Sequence, residues 1–214
     1  MDIAIVVFPQ LTALDALGPY QVLTRLPGAD VTFVADRKGE VRDDIGLVAF
    51  PVERTFADAP RPDVIVVPGG TITRKMARDG HPSVAWIREV HAHTEWTTSV
   101  CTGSLLLGAA GVLKGLEATT HWASLDQLAD LGARPTLQRV VFQGKVVTGA
   151  GVSAGIDMAL TLVGLMEGAD LAEAVQLGIE YDPQPPYDAG APSKARPEIK
   201  GLVEAVVTQA EAAI

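Results

Sequence analysis

The stretch Trp96-Thr97-Thr98-Ser99-Val100-Cys101-Thr102-Gly103-Ser104-Leu105 predicts a β-strand that turns directly into an α-helix. Residues 96–100 form a β-type run, and residues 105–110 are small and apolar, as in a buried helix. Cys101, the only cysteine in the 214 residues, therefore lies at the turn. In a nucleophile elbow, such a turn lifts the reactive side chain above the end of a sheet. Gly103 removes a Cβ that would collide as the helix folds back.

The N-terminus of the helix that follows Cys101 favours negative charge. We therefore expect it to lower the pKa of the thiol and to favour the nucleophilic thiolate. The alternative is that Cys101 is a small buried core residue, which its neighbours Val100 and Leu105 would suit.

Strands and helices alternate on both sides of this turn. Residues 3–8 and 64–67 are continuous apolar runs with β-branched residues, a pattern typical of parallel strands buried on both faces. The alternation predicts an α/β fold, a flavodoxin-like three-layer sandwich with a mostly parallel sheet and helices on both faces. Other strands are predicted at 31–35 and 96–100, and hairpins at 41–42 with 47–52 and at 140–142 with 146–148. Helices are predicted at 13–26, 72–78, 84–94, 105–111, 122–131, 154–166 and 171–179. The first of these helices is expected to kink at Pro19.

The length suits one domain that covers residues 1–214. A hydrophobic content of 48% with only 5% aromatic residues indicates a large aliphatic core. Residues 183–198 are rich in proline and predict an extended segment that wraps the surface, followed by a terminal amphipathic helix at 199–214.

Composition excludes several kinds of partner and site. A formal net charge of -9 disfavours nucleic acid and anionic membranes as partners. A single cysteine excludes internal disulfides and cysteine-cluster metal sites, and the four histidines form no zinc pattern, so we expect no metal. His91 and His93 are expected to face solvent. With no phosphate-binding glycine motif, signal peptide or apolar run long enough to span a bilayer, we expect a cytoplasmic protein that needs no cofactor.

Four polar or glycine-rich segments follow predicted strands: Asp15, Gly69-Gly70, Cys101 and Gly149 to Gly151. The carboxyl ends of parallel strands meet at one edge of a sheet, so these segments are expected to converge on one pocket. Each has a simpler interpretation. Asp15 suits the positive end of a helix dipole, and a glycine pair suits any tight turn.

Several pieces of the sequence together resemble the DJ-1/PfpI superfamily, of glutamine-amidotransferase-like fold. They lie in the family's order and spacing, over nearly the whole chain to about Pro192. The pieces are LDALGP (14–19), VPGG (67–70), VCTGS (100–104), LKGLEATTHW (113–122) and TGAGVSAGID (148–157).

Within the superfamily, the sequence is most similar to the isonitrile hydratase branch. The features that it shares with that branch are Asp15 where many relatives carry glutamate, Cys-Thr-Gly-Ser at the elbow, and the tail QLGIEYDPQPP at 176–186. The resemblance implies a homodimer with the cysteine near the interface, acting on an isonitrile. It also implies catalytic roles for Cys101, Asp15 and Thr102, and substrate contacts from Gly69, Gly70, His121 and Val152.

The activity that this resemblance implies begins with attack of the Cys101 thiolate on the isonitrile carbon. Asp15 would protonate that carbon to give a thioimidate, then activate water to release an N-substituted formamide. This requires a pocket that raises the pKa of Asp15. The N–H or hydroxyl of Thr102 would bond the sulfur or the substrate, with the Gly70 N–H as a second donor. His121 would be structural or would transfer a proton.

Three other functions remain open from the sequence. Glyoxalases or deglycases of the same superfamily act on 2-oxoaldehydes but usually carry glutamate in place of Asp15. The sensor halves of AraC-type regulators share Cys-Thr-Gly and Ala-Thr-Thr-His-Trp but continue into a DNA-binding domain, which we do not expect here, in agreement with the negative charge. A redox sensor is the third possibility, because an exposed thiol of low pKa oxidises readily.

Overall fold

A computed structural model of the chain describes residues 1–212. Its centre is a seven-stranded sheet with the strand order β10-β11-β7-β6-β1-β2-β5. The strands are β1 (Asp2–Val6), β2 (Asp30–Ala35), β3 (Gly39–Arg42), β4 (Ala49–Val52), β5 (Arg54–Thr55), β6 (Val64–Val67), β7 (Trp96–Val100), β8 (Glu117–Ala118), β9 (Arg134–Pro135), β10 (Val140–Gln143) and β11 (Val146–Gly149).

The pairing confirms the predicted mostly parallel α/β sheet. All neighbours in the large sheet are parallel except β10 and β11, which form the predicted hairpin. The order of β2, β1, β6, β7 and β11 is the flavodoxin-like order, with its switch point between β1 and β6. β3 and β4 form a separate antiparallel hairpin, and β8 pairs with β9 in a small parallel sheet.

Helices pack in two groups, as a three-layer arrangement requires. α6 contacts both α1 and α7, and α4 contacts α2, α3 and α5. The helices are α1 (Ala13–Leu23), α2 (Thr73–Asp79), α3 (Pro82–His91), α4 (Gly103–Ala109), α5 (Leu125–Asp130), α6 (Ala154–Glu167), α7 (Ala169–Gly178) and α8 (Pro197–Ala212).

The core is aliphatic, and its centre is the pair β1 and β6. Every residue of β6 is fully buried, and in β1 only Asp2 has appreciable exposure. Ile3 pairs with Val64 and Ile5 with Val66 in parallel register. Such strands have no polar face because helices cover both sides of the sheet.

The structure differs from the sequence prediction mainly at the ends of elements. α1 ends at Leu23 rather than at residue 26, and it continues through Pro19. The short strands β5, β8 and β9 were not predicted, since two-residue strands carry no periodic pattern. α8 begins at Pro197, and residues 213–214 of the predicted terminal helix lie outside the described residues.

One expectation about the histidines is wrong. His93 is exposed as predicted, but His91 is half-buried, and its Nδ1 lies 2.8 Å from Thr97 Oγ1. α3 ends at His91, so this side chain folds back against β7 instead of projecting into solvent.

Candidate active site

The segments that follow β1, β6, β7 and β11 meet at the carboxyl edge of the sheet, as the sequence predicts. Asp15 lies in the first turn of α1, Gly69 and Gly70 follow β6, and Cys101 follows β7. The turn 150–153 follows β11. The switch point between β1 and β6 leaves a crevice here, because the chain runs to opposite sides of the sheet after these two strands.

Cys101 occupies a strained elbow between β7 and α4. Its φ is +55°, a left-handed conformation that non-glycine residues rarely adopt. The backbone N–H of Cys101 donates to the carbonyl oxygens of Gly149 and Ala150, at 3.0 and 2.8 Å. Its carbonyl accepts hydrogen bonds from the hydroxyls of Ser104 and Thr120, both at 3.1 Å. These four bonds hold the strained residue in place.

The turn requires glycine at position 103, as predicted. The group that a side chain would strike belongs to the neighbouring strand β6. A Cβ on Gly103 would overlap the carbonyl oxygen of Val67 at the end of β6. The close approach of α4 to β6 therefore depends on glycine at this position.

Asp15 is a fully buried carboxyl beside the thiol. Oδ2 accepts a hydrogen bond of 2.9 Å from the Gly69 N–H. Oδ1 is buried and has no nitrogen or oxygen partner among residues 1–212. Burial raises the pKa of Asp15 to about 7, against smaller lowering effects of the Gly69 bond and of an interaction with Cys101. The raised pKa was predicted, and it lets this carboxyl take or give a proton near neutral pH.

The expectation of a lowered thiol pKa is wrong. Burial, with an added repulsion from Asp15, raises the pKa of Cys101 well above its usual range, although the N–H groups of Thr102 and Val152 oppose that shift. α4 has only seven residues, and the Cys101 side chain is 5% exposed. Loss of hydration thus outweighs the helix N-terminus, and the resting form of Cys101 is the thiol.

The N–H groups of the glycine pair after β6 bond to Asp15 and Thr102. The expectation that these N–H groups face the substrate is therefore wrong. The Gly69 N–H donates to Asp15, and the Gly70 N–H donates to Thr102 Oγ1 at 3.0 Å. The same hydroxyl donates to the Gly70 carbonyl, also at 3.0 Å. A Cβ on Gly69 would lie 2.6 Å from the Thr102 nitrogen and 2.8 Å from Asp15 Oδ2. Neither N–H is therefore free for a developing charge, and the Thr102 hydroxyl is occupied as well.

The sulfur faces two backbone donors, from Thr102 and Val152. The Thr102 donor was predicted. The Val152 donor was not, because only the fold brings the turn after β11 against the elbow. Two N–H groups directed at sulfur favour its anionic form whenever the proton leaves.

His121 lies at the rim of the site. It precedes the short 3₁₀ turn Trp122–Ser124, and its Nδ1 accepts a bond of 3.3 Å from the Ala123 N–H. Burial and the nearby Arg74 guanidinium lower the pKa of His121, so its imidazole is neutral near pH 7. A Cβ on Gly151 would lie 3.1 Å from His121 Cδ2, which shows how closely the turn after β11 approaches this ring.

A cavity of about 120 Å³ opens onto Cys101. The predicted site residues Gly70, Thr102, His121 and Val152 line it, whereas Asp15 and Gly69 are not among its lining residues. Sequence reasoning missed the other lining residues, which are Thr12, Thr71, Arg74 and Val207.

Arg74 is the only charged side chain among the residues that line this cavity. Nε donates to Gln127 Oε1 at 3.1 Å, Nη2 donates to Ser124 Oγ at 2.6 Å, and Nη2 lies 2.8 Å from Glu211 Oε1. Its position two residues into α2 gave no signal in the sequence, because an arginine in a helix is ordinarily exposed.

Metal-binding clusters and membrane-spanning helices are both absent from residues 1–212. This part of the chain contains no group of three or more metal-binding side chains. None of its helices has the length and apolar content needed to cross a membrane. The chemistry that the site offers is proton exchange between a thiol and a carboxyl of raised pKa beside a small cavity.

Comparison with known proteins agrees with this geometry. Isonitrile hydratase from Pseudomonas putida is 47% identical over 195 residues, which are 91% of this chain and 85% of that protein. The HTH-type transcriptional regulator GbdR of Pseudomonas aeruginosa is 27% identical over 182 residues, which are 82% of this chain but only 48% of the regulator.

Solved structures show the same fold. A crystal structure of a THiJ/PfpI family protein from Pseudomonas syringae matches with a TM-score of 0.92 and 38% identity, over 99% of this chain and 89% of that one. The sequence model of the DJ-1/PfpI family matches residues 1–165, a range that contains the elbow, the buried carboxyl and the glycine pair. On sequence, fold and site geometry, the chain belongs to the DJ-1/PfpI family.

Proposed function

We propose that the protein is an isonitrile hydratase, which converts an isonitrile and water to an N-substituted formamide. The observation that carries the proposal is the 47% identity to the Pseudomonas putida isonitrile hydratase over 91% of the chain. The buried Cys101 and Asp15 pair supports it, since this chemistry needs a nucleophile and one group that both accepts and donates a proton.

The first step forms a thioimidate. The Asp15 carboxylate takes the Cys101 proton as Sγ bonds to the terminal carbon of the isonitrile, and Asp15 then delivers that proton to the same carbon. The net result is addition of S–H across the carbon, which leaves a carbon–nitrogen double bond and regenerates the Asp15 carboxylate. An Asp15 pKa of about 7 supports both transfers at neutral pH. The Thr102 and Val152 N–H groups stabilise the sulfur while it carries negative charge.

The second step hydrolyses the thioimidate. Asp15 takes one proton from water as the water oxygen attacks the carbon, and it delivers that proton to the substrate nitrogen. The carbon–sulfur bond then breaks, the second water proton returns to sulfur through Asp15, and the formamide leaves. The unpartnered Asp15 Oδ1 supports this role, because a buried oxygen without a donor can accept a hydrogen bond from water.

The remaining predicted residues take supporting parts in this proposal. Gly69 positions Asp15, and Gly70 positions Thr102, through the hydrogen bonds already described. The apolar side chain of Val152 and the uncharged imidazole of His121 both line the cavity. Such walls suit a substrate with little polarity.

The proposal is tested by the ultraviolet absorbance of p-nitrophenyl isocyanide mixed with the wild type, Cys101→Ala and Asp15→Asn. We expect conversion to the formamide by the wild type and loss of turnover in both variants. Substantial turnover by Cys101→Ala would disprove the covalent route. No conversion by the wild type would disprove the assignment and would redirect the search to 2-oxoaldehydes.

We also propose that the protein is a homodimer with the cysteine near the interface. Large exposed apolar side chains near the cavity support this. Ile45 and Leu47 are 74% and 81% exposed, on the loop whose Asp44 N–H donates to the Leu11 carbonyl. Leu14 is 42% exposed in the first turn of α1, and a second copy would remove such surface from water.

A further inference from the structure

The terminal helix α8 lies across the cavity that contains Cys101. Lys200 Nζ lies 5.9 Å from the centre of the Trp122 ring, Val207 lines the cavity, and Glu211 pairs with Arg74. Lys200, Val207 and Glu211 are seven and four residues apart, so they share one face of the helix. That face points toward the body of the protein.

α8 is only weakly attached to the rest of the protein. None of its described residues is buried. The ion pair at its C-terminal end is better protected, because the side chains of Arg74 and Glu211 are only 13% and 31% exposed. The cation–π contact of Lys200 with Trp122 is at the other end and is exposed, where such contacts contribute only about 0.5–1 kcal/mol. Of these two contacts within residues 1–212, the Arg74–Glu211 pair is the better protected from water and the stronger support of the helix.

Val207 is one of two aliphatic side chains on the cavity wall, the other being Val152. The two come from different parts of the fold. Val152 is fixed by the turn after β11, which also directs its N–H at the sulfur. Val207 stands on an element that lies outside the range matched by the family model, residues 1–165. Val207 thus adds to the cavity wall from outside the part of the chain that the family model covers.

The cavity is small for a ligand site. It measures about 120 Å³, whereas pockets for drug-sized molecules span roughly 300–1,000 Å³. A larger cavity of about 750 Å³ lies next to it and shares Thr71 and Arg74, with Thr208 and Glu211 of α8 on its wall. α8 therefore contributes to the walls of both spaces.

We propose that α8 is a roof over the reaction cavity and that Val207 sets the largest isonitrile substituent that the site accepts. The Arg74–Glu211 pair holds the roof closed. The part of this inference that concerns isonitriles rests on the proposed function, whereas the roof itself does not.

The substrate limit is tested by comparing Val207→Ala with its neighbour Val206→Ala, which changes a side chain that is 59% exposed. The kinetic readout is kcat/KM for a small alkyl isonitrile and for a naphthyl isonitrile. We expect Val207→Ala to raise kcat/KM for the naphthyl substrate relative to the alkyl one by about tenfold or more, because an extra methylene in an apolar pocket changes discrimination by 10-fold to 200-fold. Val206→Ala should keep the wild-type ratio. An unchanged ratio in Val207→Ala, or the same change in both variants, would disprove the role of Val207.

The roof is tested without any substrate, through alkylation of Cys101, the only cysteine of the chain. The ratio of labelling rates for a naphthyl maleimide and for iodoacetamide reports how wide the entrance is. We expect Glu211→Gln, which weakens the ion pair, to raise this ratio several-fold. Glu198→Gln removes the same charge at the other end of α8 and should leave the ratio unchanged. If Glu211→Gln leaves it unchanged, α8 is no roof. If the wild type hydrates no isonitrile, the proposed function fails while these labelling ratios still decide whether α8 covers the cysteine.

Discussion

Asp15 is a buried carboxyl group, and the loss of water around it destabilises its charged form. Its folded pKa of about 7 lies well above the ordinary value of 3.8, and burial is the largest cause. Buried groups of this kind are typical of catalytic sites, where the destabilising environment gives the group its reactivity. Within residues 1–212, the one hydrogen bond that a backbone N–H donates to this carboxyl comes from Gly69.

Replacement of Asp15 by Asn tests this charge penalty through pH-dependent stability. The unfolded wild type loses the Asp15 proton near pH 3.8 and the folded wild type near pH 7, so its stability falls as pH rises between these values. Asn has no proton to lose. The stability of Asp15→Asn minus that of the wild type should therefore grow by as much as ~4 kcal/mol between pH 4 and pH 8. Urea unfolding at both pH values measures it, and a difference that is independent of pH would contradict the buried, raised-pKa carboxyl.

The same titration predicts the pH dependence of activity. Burial keeps Cys101 in the thiol form at neutral pH, and in the proposed mechanism the ionised Asp15 carboxylate removes its proton. We expect kcat/KM for the isonitrile to rise with pH through about 7 and then to level off. The measurement is a pH–rate profile of the wild type. A profile that falls through pH 7 would mean that the protonated carboxyl starts the reaction.

Thr102 uses its hydroxyl to hold Gly70 by two bonds, one as acceptor and one as donor. Thr102→Val would leave both Gly70 backbone groups without these partners in a buried setting. We expect a loss of about 1–3 kcal/mol in the free energy of unfolding, together with lower kcat/KM. Thr102→Ser keeps the hydroxyl and serves as the control. If urea unfolding finds Val and Ser equally stable, the two bonds have no structural importance.

At the scale of elements, the elbow depends on how closely α4 approaches β6. Gly103 makes this possible, since a Cβ there would overlap the Val67 carbonyl. The Val67 carbonyl belongs to the backbone of a central strand, which cannot move aside as a flexible side chain can. The strain at Cys101 is therefore supported by close packing of a helix against a neighbouring strand.

Gly103→Ala should destabilise the protein by at least about 2 kcal/mol, in the upper range for overpacked sites. The matched control is Gly178→Ala at the end of α7, where an added Cβ meets nothing within 4 Å. That change should be neutral or slightly stabilising, because alanine favours helix more than glycine does. Thermal unfolding of both variants provides the comparison. Equal melting temperatures would show that α4 can move away from β6 freely.

For the whole molecule, the proposed homodimer predicts that exposed apolar surface beside the cavity is buried between the two chains. Leu47 and Leu177 are about equally exposed, at 81% and 79%. Leu47 lies three residues after Asp44, whose carboxylate accepts a hydrogen bond from the cavity-lining Thr12, whereas Leu177 lies on α7. We expect sedimentation analysis to give the mass of two chains for the wild type and for Leu177→Glu, and a shift toward single chains for Leu47→Glu. A wild type with the mass of one chain at all concentrations would disprove the dimer.

The architecture and the principal chemical groups of the site follow from the amino-acid sequence. The all-apolar runs at 3–8 and 64–67 implied strands covered on both faces, and the β-type run before Cys101 implied an elbow. These features are local, because hydrophobic period and turn chemistry can be read over a few residues. For the same reason the convergence of Asp15, Gly69 and Cys101 followed from their positions after parallel strands.

Tertiary structure alone decided the protonation state of the site and its walls. The sign of the Cys101 pKa shift depends on burial, which overrides the helix N-terminus and cannot be read from neighbouring residues. The use of the glycine N–H groups to hold Asp15 and Thr102 depends on contacts between segments far apart in the chain. Val207, more than one hundred residues after Cys101, reaches the cavity only because α8 packs across it. Hydration and long-range packing are properties of the folded chain, which is why no local pattern predicts them.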